Sequence, residues 1–505
     1  MFPSWFDRLA NLKSVLALLV GFSVLHGVVT MAAGPVLALD DDKLNIFTQS
    51  FQLGYLPDNP PLFEWTLIAV QKITGPVQLS FIIVKYLFLI LTGLFTYLTA
   101  ARLFKNHRWA AFTVLALLSL YQIGYNYHQA FTHSTALMAS VAFLWYGLLK
   151  LRDEPRTQHY LLLGLAVGPG AIAKYSFLPV VVSIFIAGML SSQVRARLLN
   201  VRILISVLLA MLVCLPHGLW LLDHMDEIAM RADQRFGTVE ASYMSRVSNA
   251  LPAALWAMGS FLLPFVAVVA VAAPNSFREL KVVDEATSIF RNATLVCIIV
   301  LLVGIVVTGA SSFPERYAIA FMYPALFWFI AALKNSTPTE RALRNITLAG
   351  FVFFGLFLGV RIVQTVMPGP PFCSDCRQWI PYAVLEDAFP AENFEKATLV
   401  GFDIYTAGNL RRLFPDNRVV APFFPFYTPP GGDEHAPCYF VWSENLGVAP
   451  PDEYLPPEIK QRAAQITGKW PQNIANFRER ETTWNIVDLK PNPRVAKSLC
   501  RLSGQ

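Results

Sequence analysis

Charge is scarce in this chain. Only 15% of the 505 residues are Asp, Glu, Lys or Arg, while 55% are hydrophobic and mean hydropathy is +0.46. So few charges exclude an ordinary water-soluble globule of this length and point to a core buried largely in lipid. The net charge of +6 is scattered through loops with no Lys/Arg tract, which argues against a nucleic-acid partner. No glycine-rich phosphate loop is present, so a bound nucleotide is not expected. The eight histidines lack His-Glu-x-x-His or comparable spacing, and no metal or other cofactor is expected. No small-residue cleavage site follows the first apolar run and no lipidation signal is evident, so that run reads as a retained first helix. The two halves show no repeat of their hydropathy pattern, which argues against a transporter of the inverted-repeat kind.

What is abundant is apolar sequence of bilayer length. About eleven spans, with room for thirteen, are predicted at 14–38, 77–100, 109–125, 133–149, 159–173, 175–191, 202–222, 251–273, 292–310, 316–333 and 345–366. The pair 159–173 and 175–191 is short and interrupted by Gly168-Pro169-Gly170 and Lys174, so it also reads as one broken hairpin. Basic residues cluster in alternate loops. Arg8 and Lys13, then Arg102, Lys105 and Arg108, then Lys150, Arg152 and Arg156, then Arg195, Arg197 and Arg202, then Arg278, Lys281 and Arg291, then Lys334, Arg341 and Arg344 fall on one side. The opposite loops carry Lys43, Lys72, Lys174, Arg231, Arg235, Arg246 and Arg316. By the positive-inside rule the N-terminus is cytoplasmic, and the odd span count puts the C-terminal region outside.

Composition changes after Pro368-Gly369-Pro370-Pro371. The chain divides into a transmembrane domain, 1–367, and an external α/β domain, 368–505. In the latter, 397–403, 418–421 and 438–442 read as strands, and 406–414 and 457–467 as helices. Cys373, Cys376, Cys438 and Cys500 all lie there, an even number in an oxidising compartment, and read as disulfide cysteines of open connectivity. Zinc at Cys373 and Cys376 would need further ligands and a reducing compartment. Cys214 and Cys297 lie in spans and read as packing thiols.

The first external loop, 39–76, is the segment around which the rest is organised. Asp40, Asp41 and Asp42 stand at the predicted edge of the membrane, followed by Gly54-Tyr55, Pro60-Pro61-Leu62 and Glu64-Trp65. Acidic groups at the mouth of a helix bundle are costly and are more often functional than incidental. The loop reads as an active site.

That loop resembles the first external loop of the membrane glycosyltransferases with a GT-C fold. The branch is that of the dolichyl-phosphate-mannose protein mannosyltransferases and the bacterial aminoarabinose transferases, nearest the pattern of bacterial transferases that add galacturonic acid to lipopolysaccharide. Asp40-Asp41 stands where the branch has Asp-Glu, with Gln49, Gly54-Tyr55, Pro60-Pro61-Leu62 and Trp65 in step. Thr132-His133-Ser134, Ala173-Lys174-Tyr175 and Glu315-Arg316-Tyr317 are similar to the same branch. One departure is Asn59, where the aminoarabinose transferases carry a Lys before the proline pair.

The resemblance implies a polytopic helical membrane enzyme in a bacterial inner membrane, its C-terminal domain in the periplasm. It implies transfer of a sugar from a polyprenyl-phosphate carrier to an envelope glycolipid or glycan. An acceptor hydroxyl would attack the anomeric carbon as the lipid phosphate leaves. Such a reaction needs a carboxylate to take the hydroxyl proton and cations to hold the phosphate. Asp40 is the expected base, with Asp41 as second candidate; the same aspartates also fit a helix end facing water. Arg316 is the first candidate for the phosphate because its planar fork suits phosphate oxygens. Lys174, Lys85 and His133 follow, although Arg316 and Lys174 also fit interfacial anchors and His133 an ordinary interface histidine. Tyr55, Pro60, Pro61, Glu64 and Trp65 are expected to line the substrate site, although the aromatics equally fit a membrane-interface belt. Some GT-C enzymes use a divalent ion, while this branch is mostly described without one. Two other readings share the polytopic body: a flippase or transporter of lipid-linked sugars, and a non-catalytic envelope assembly protein.

Overall fold

The computed structural model describes residues 2–129, 132–228, 242–280, 285–389, 394–422, 424, 427–433, 435–447 and 449–500. Of the basic residues counted for orientation, Arg231, Arg235 and Lys281 lie outside the described residues.

The chain is a multi-pass helical membrane protein. Among the described residues seven helices are long and apolar enough to cross a membrane: Leu12–Ala32, Gln78–Phe104, Thr132–Asp153, Ile203–Asp223, Tyr243–Ala272, Thr287–Thr308 and Glu340–Val366. The count rises to eight if Phe177–Met189 and Ser192–Leu198, bent by 118° at their break, form one span. The expected count of eleven therefore differs from what length and apolarity support. Three further apolar stretches are helical but short. The run 109–125 is helical only over His107–Leu118 before the chain breaks into short turns, 159–173 is the helix Thr157–Ala171, and 316–333 is Ile319–Asn335. An apolar stretch reports burial, and burial against neighbouring helices looks like burial in lipid. Ile319–Asn335 is enclosed by protein along most of its length, and so is Thr132–Asp153.

The chain forms two compact units. The first comprises Met1–Leu25, Pro57–Leu62 and Lys85–Gly359. Its helices pack closely where small residues permit. Thr157–Ala171 lies against Ile203–Asp223, and a Cβ on Gly164 would stand 2.7 Å from the Ser206 carbonyl oxygen. Small residues at helix crossings are the usual means of bringing backbones together in lipid, where no water-driven force acts between helices. Trp145 and Phe290 stack at 4.3 Å in the interior of this unit.

The second unit comprises His26–Leu56, Phe63–Val84 and Val360–Gln505. Segments of the first loop thus pack with the C-terminal region, which the sequence reading set apart as 368–505. A five-stranded mixed sheet forms its centre: β1 (Thr398–Gly401), β2 (Arg418–Val420), β3 (Cys438–Trp442), β4 (Ala464–Lys469) and β5 (Glu481–Asp488), in the order β2-β1-β3-β5-β4. β1 runs parallel to β2 and β3, whereas β3–β5 and β5–β4 are antiparallel. The helix Ile404–Leu413 links β1 to β2 and packs on both. Val400, Val420, Phe440, Trp442 and Val487 form the core with Leu455 and Ile459. The expected helix 457–467 is a correction. Only Pro457–Lys460 is helical, and from Ala464 the chain joins the sheet opposite β5, with Ala464 facing Ile486 and Lys469 facing Glu481. Cys373 is bonded to Cys376, and Cys438 to Cys500.

Candidate active site

The three aspartates open a two-turn helix, Asp40–Phe47. Leu39, just before it, has φ of 65°, a left-handed conformation uncommon for a residue with a branched side chain. Strain of this kind tends to persist where surrounding structure over-determines a functional turn. Successive residues of a helix point about 100° apart, so the three carboxylates meet different surroundings. Asp40 has half of its side chain in solvent, with Lys43 Nζ 3.9 Å away. Asp41 is half-buried. Asp42 is fully buried; its Oδ1 accepts the Lys43 N–H at 2.6 Å, and among the described residues its Oδ2 has no hydrogen-bond partner. Burial first, and then the carboxylates of Asp41, Asp40 and Asp403, push its pKa well above the carboxylate range.

Asp403 is a second buried carboxylate. It caps the helix Ile404–Leu413 by accepting from Thr406 N at 2.8 Å and Thr406 Oγ1 at 2.7 Å. Its pKa is also raised, by burial. The sequence reading missed this role, although Asp403-x-x-Thr406 before a helix is a capping signal.

The helix Ile404–Leu413 packs on Asp40–Phe47. Gly408 makes this possible, because a Cβ there would stand 2.3 Å from the Asp42 carbonyl oxygen. Asn45 Nδ2 donates to Gly408 O at 2.9 Å, and Gln71 Nε2 donates to Asn45 Oδ1 at 3.0 Å. Buried Arg411 reaches the C-terminal end of the acidic helix, donating from Nη1 to Asn45 O and to Thr48 Oγ1, and from Nη2 to Thr48 O. Desolvation lowers its pKa to about 10.

The other predicted loop residues in this unit hold the loop to itself. The Tyr55 hydroxyl donates to Ser50 O and accepts from Gln52 N, both at 3.1 Å, and burial pushes its pKa up. Trp65 Nε1 donates to Gln52 O at 2.8 Å, and its ring stacks on Phe51. Glu64 is buried. A hollow of about 480 Å³ in this unit, between Tyr454, Pro456 and Arg494, is lined by none of these residues.

The predicted phosphate residues belong to the first unit, where three short motifs converge. Lys174 Nζ donates to Ser134 Oγ at 2.9 Å and lies 5.4 Å from the Tyr317 ring centre. The Arg316 guanidinium lies 5.4 Å from the same ring. Two cations thus lie within cation–π range of one ring. His133, next to Ser134, hydrogen-bonds through Nδ1 to Thr132 Oγ1 at 3.1 Å. The turn bearing Arg316 is held by Glu315, whose two carboxylate oxygens accept from Gln122 Nε2 at 3.1 Å and Trp256 Nε1 at 3.2 Å. Lys85 is buried, with Nζ 3.5 Å from Gln129 O. Pro60 and Pro61 are buried, and Leu62 N beside them donates to Ile172 O at 2.9 Å, close in sequence to Lys174. Among the described residues no group of three His, Cys, Asp or Glu side chains is placed to hold a metal ion.

Known proteins are similar to this chain in sequence or fold. The family described as dolichyl-phosphate-mannose-protein mannosyltransferase matches residues 58–220, a stretch that holds Lys85, His133 and Lys174 and begins beyond the aspartates. The lipopolysaccharide core galacturonosyltransferase RgtA of Rhizobium johnstonii is 28% identical over 453 residues, 88% of this chain and 90% of that protein. RgtB of the same organism, also a lipopolysaccharide core galacturonosyltransferase, is 26% identical over 455 residues, 89% of this chain and 90% of its own. The crystal structure of ArnT from Cupriavidus metallidurans bound to undecaprenyl phosphate superposes with a TM-score of 0.57 at 13% identity, covering 93% of this chain and 97% of that one. The kinship implied by the sequence is borne out. The chain is related to the GT-C glycosyltransferases on the lipopolysaccharide galacturonosyltransferase branch, and it has their fold, with a helical membrane body and a small C-terminal sheet.

Proposed function

We propose that this relative of the GT-C glycosyltransferases moves a sugar from a polyprenyl-phosphate carrier to the lipopolysaccharide core on the periplasmic face of the bacterial inner membrane. Galacturonic acid is the sugar named for its relatives RgtA and RgtB, and we assign it here on their account. Undecaprenyl phosphate, the lipid bound in the ArnT structure, supplies the chemistry of the carrier.

The observation that carries this reading is the meeting of Lys174, Ser134, Arg316 and Tyr317. Three segments far apart in sequence bring two cations to one ring. When the bond from the anomeric carbon to the phosphate oxygen breaks, the donor phosphodiester leaves as a phosphate monoester and negative charge develops on that oxygen; preorganised cations stabilise the charge more in the transition state than in the ground state. Arg316 offers its fork and Lys174 a point charge, with the Ser134 hydroxyl as a further polar group. In the transfer itself the acceptor oxygen bonds to the anomeric carbon, the bond from that carbon to the phosphate oxygen breaks, and the acceptor proton passes to a carboxylate.

Asp40 is the carboxylate assigned to the proton. It is the most exposed of the three, so an acceptor hydroxyl has access to it. Asp42 is sealed and held toward its protonated form, which unfits it as a base. Asp41, half-buried, is the second candidate. In this reading the N-terminus is cytoplasmic and residues 368–505 are periplasmic.

The test is mass spectrometry of the lipopolysaccharide from a strain lacking the protein, complemented with wild type or Asp40→Asn. A sugar mass that is missing in the null strain, restored by wild type and not by the variant, is expected, and it identifies both sugar and acceptor. Restoration by both removes Asp40 from the role. An unchanged lipopolysaccharide in the null strain overturns the assigned acceptor.

A further inference from the structure

We infer that the helix Ile404–Leu413 of the C-terminal region is a positioning element for the acidic helix Asp40–Phe47, with Arg411 and Asn409 as its positioning residues. The inference rests on the proposal that the acidic helix carries the base.

The two helices are joined by directed polar contacts. A helix leaves its last four carbonyls without partners inside it. At the end of Asp40–Phe47, the Arg411 guanidinium takes Asn45 O and Thr48 O together with Thr48 Oγ1. Its positive charge also opposes the negative end of the helix dipole. At the other end, the Asn409 side chain forms a reciprocal pair with the backbone of Leu37. Leu37 N donates to Asn409 Oδ1 and Asn409 Nδ2 donates to Leu37 O, both at 3.0 Å. Leu37 lies three residues before Asp40. Between these two clamps, Gly408 brings the backbones into contact at Asp42. Beyond the helix, Gln49 repeats the reciprocal pattern on the edge strand β2, donating to Val419 O and accepting from Val419 N, both at 2.8 Å.

The energetics favour a positioning role over simple stabilisation. Burying a guanidinium costs several kcal/mol after relaxation, and among the described residues Arg411 forms no ion pair to offset it. The hydrogen bonds it makes go to neutral oxygens, and its Nε has no partner. An apolar residue of similar volume would be the cheaper filler. What the arginine adds is direction. Its planar fork accepts one placement of the Asn45 and Thr48 carbonyls, so it fixes both the rotation and the axial register of the acidic helix. A helix of eight residues held at both ends presents Asp40 at one angle. A catalytic carboxylate needs placement within about half an ångström and 10–20°.

The test uses purified full-length protein in lipid nanodiscs and compares wild type with Arg411→Gln, Asn409→Ala and Arg411→Lys. Hydrogen exchange is followed in peptides covering 40–49 and, as reference, in β3 and β5. Arg411→Gln is expected to speed exchange in 40–49 by roughly tenfold to a hundredfold, with the two strands unchanged. Its kcat falls while its KM for the lipid-linked donor stays within about twofold, because the donor groups are untouched. Arg411→Lys recovers part of both effects, since an ammonium satisfies one carbonyl. Asn409→Ala acts in the same direction at the Leu37 end. Unchanged exchange in 40–49, or equal acceleration in β3 and β5, overturns the inference. The base assignment is checked separately. If Asp40→Asn transfers sugar normally while Arg411→Gln frees residues 40–49, the docking of the helix stands and the assignment of the base falls.

Discussion

Gly408 lies against the backbone of Asp42, so close that a Cβ at residue 408 would stand 2.3 Å from the Asp42 carbonyl oxygen. The close approach seals Asp42 while its neighbour Asp40, in the same turn, remains half exposed. Gly408→Ala must therefore separate the two helices. Overpacking of this kind costs about 1–3 kcal/mol, and the thermal midpoint of the detergent-solubilised variant should fall accordingly. A midpoint equal to wild type would show that the helices part without cost.

Protonation of the buried carboxylates gives a pH dependence with a definite sign. Asp42 and Asp403 both have pKa values raised in the fold, chiefly by burial. A carboxyl with a raised folded pKa binds its proton more tightly folded than unfolded. Its contribution is therefore fully present below the unfolded value of about 4 and is lost as pH rises through the folded pKa. Asp42→Asn mimics the protonated form. The variant should be more stable than wild type at pH 8, with the gap narrowing at pH 5, in thermal melts at both values. A gap that widens toward pH 5 contradicts the assignment.

Asp40→Asn should leave folding intact and stop transfer. The Asp40–Lys43 pair is 3.9 Å long and half exposed, and such pairs contribute about 0–1 kcal/mol. Loss of a general base costs typically 10²–10⁴ in rate. Transfer from purified lipid-linked sugar, measured beside a melting curve, separates the two effects.

Lys174→Met and Tyr317→Leu act on one cluster. Lys174 bonds Ser134 and lies over the Tyr317 ring, so its loss removes the cation proposed for the phosphate as well as a structural contact. Affinity for polyprenyl phosphate should fall about tenfold in Lys174→Met and less in Tyr317→Leu, with the double variant short of the sum because the residues touch. Unaltered affinity in Lys174→Met would remove it from the phosphate site.

The two disulfides should differ in their effect on stability. Cys438–Cys500 closes 62 residues, and Cys373–Cys376 closes three. The loop-entropy account gives the longer loop about 4 kcal/mol and the shorter one about 1.5 kcal/mol. Cys438→Ser should make the sheet region susceptible to protease while Cys373→Ser leaves it resistant.

Much of the fold was legible because apolar burial leaves its mark on a linear pattern. The long runs such as 14–38 and 345–366 became the helices Leu12–Ala32 and Glu340–Val366. The pattern failed where protein replaces lipid. Ile319–Asn335 and His107–Leu118 are apolar because other helices enclose them, and they are shorter than the run suggested. It failed again at β4, a largely exposed strand that pairs, among the described residues, with β5 alone; nothing local to Ala464–Lys469 requires a strand until Glu481–Asp488 is alongside.

The candidate site divides in the same way. By itself the sequence determined that this is a membrane protein, that acidic residues open its first loop, and that short basic motifs recur at span ends, because residue type and spacing are properties of the chain alone. Only the tertiary structure decided which aspartate is sealed and which is open, since helix rotation is set by what packs on the helix, here Gly408, Asn409 and Arg411. It also decided that Lys174, Ser134, Arg316 and Tyr317 meet, because proximity across 183 residues of sequence depends on how the helices between them pack and on no pattern within any one of them.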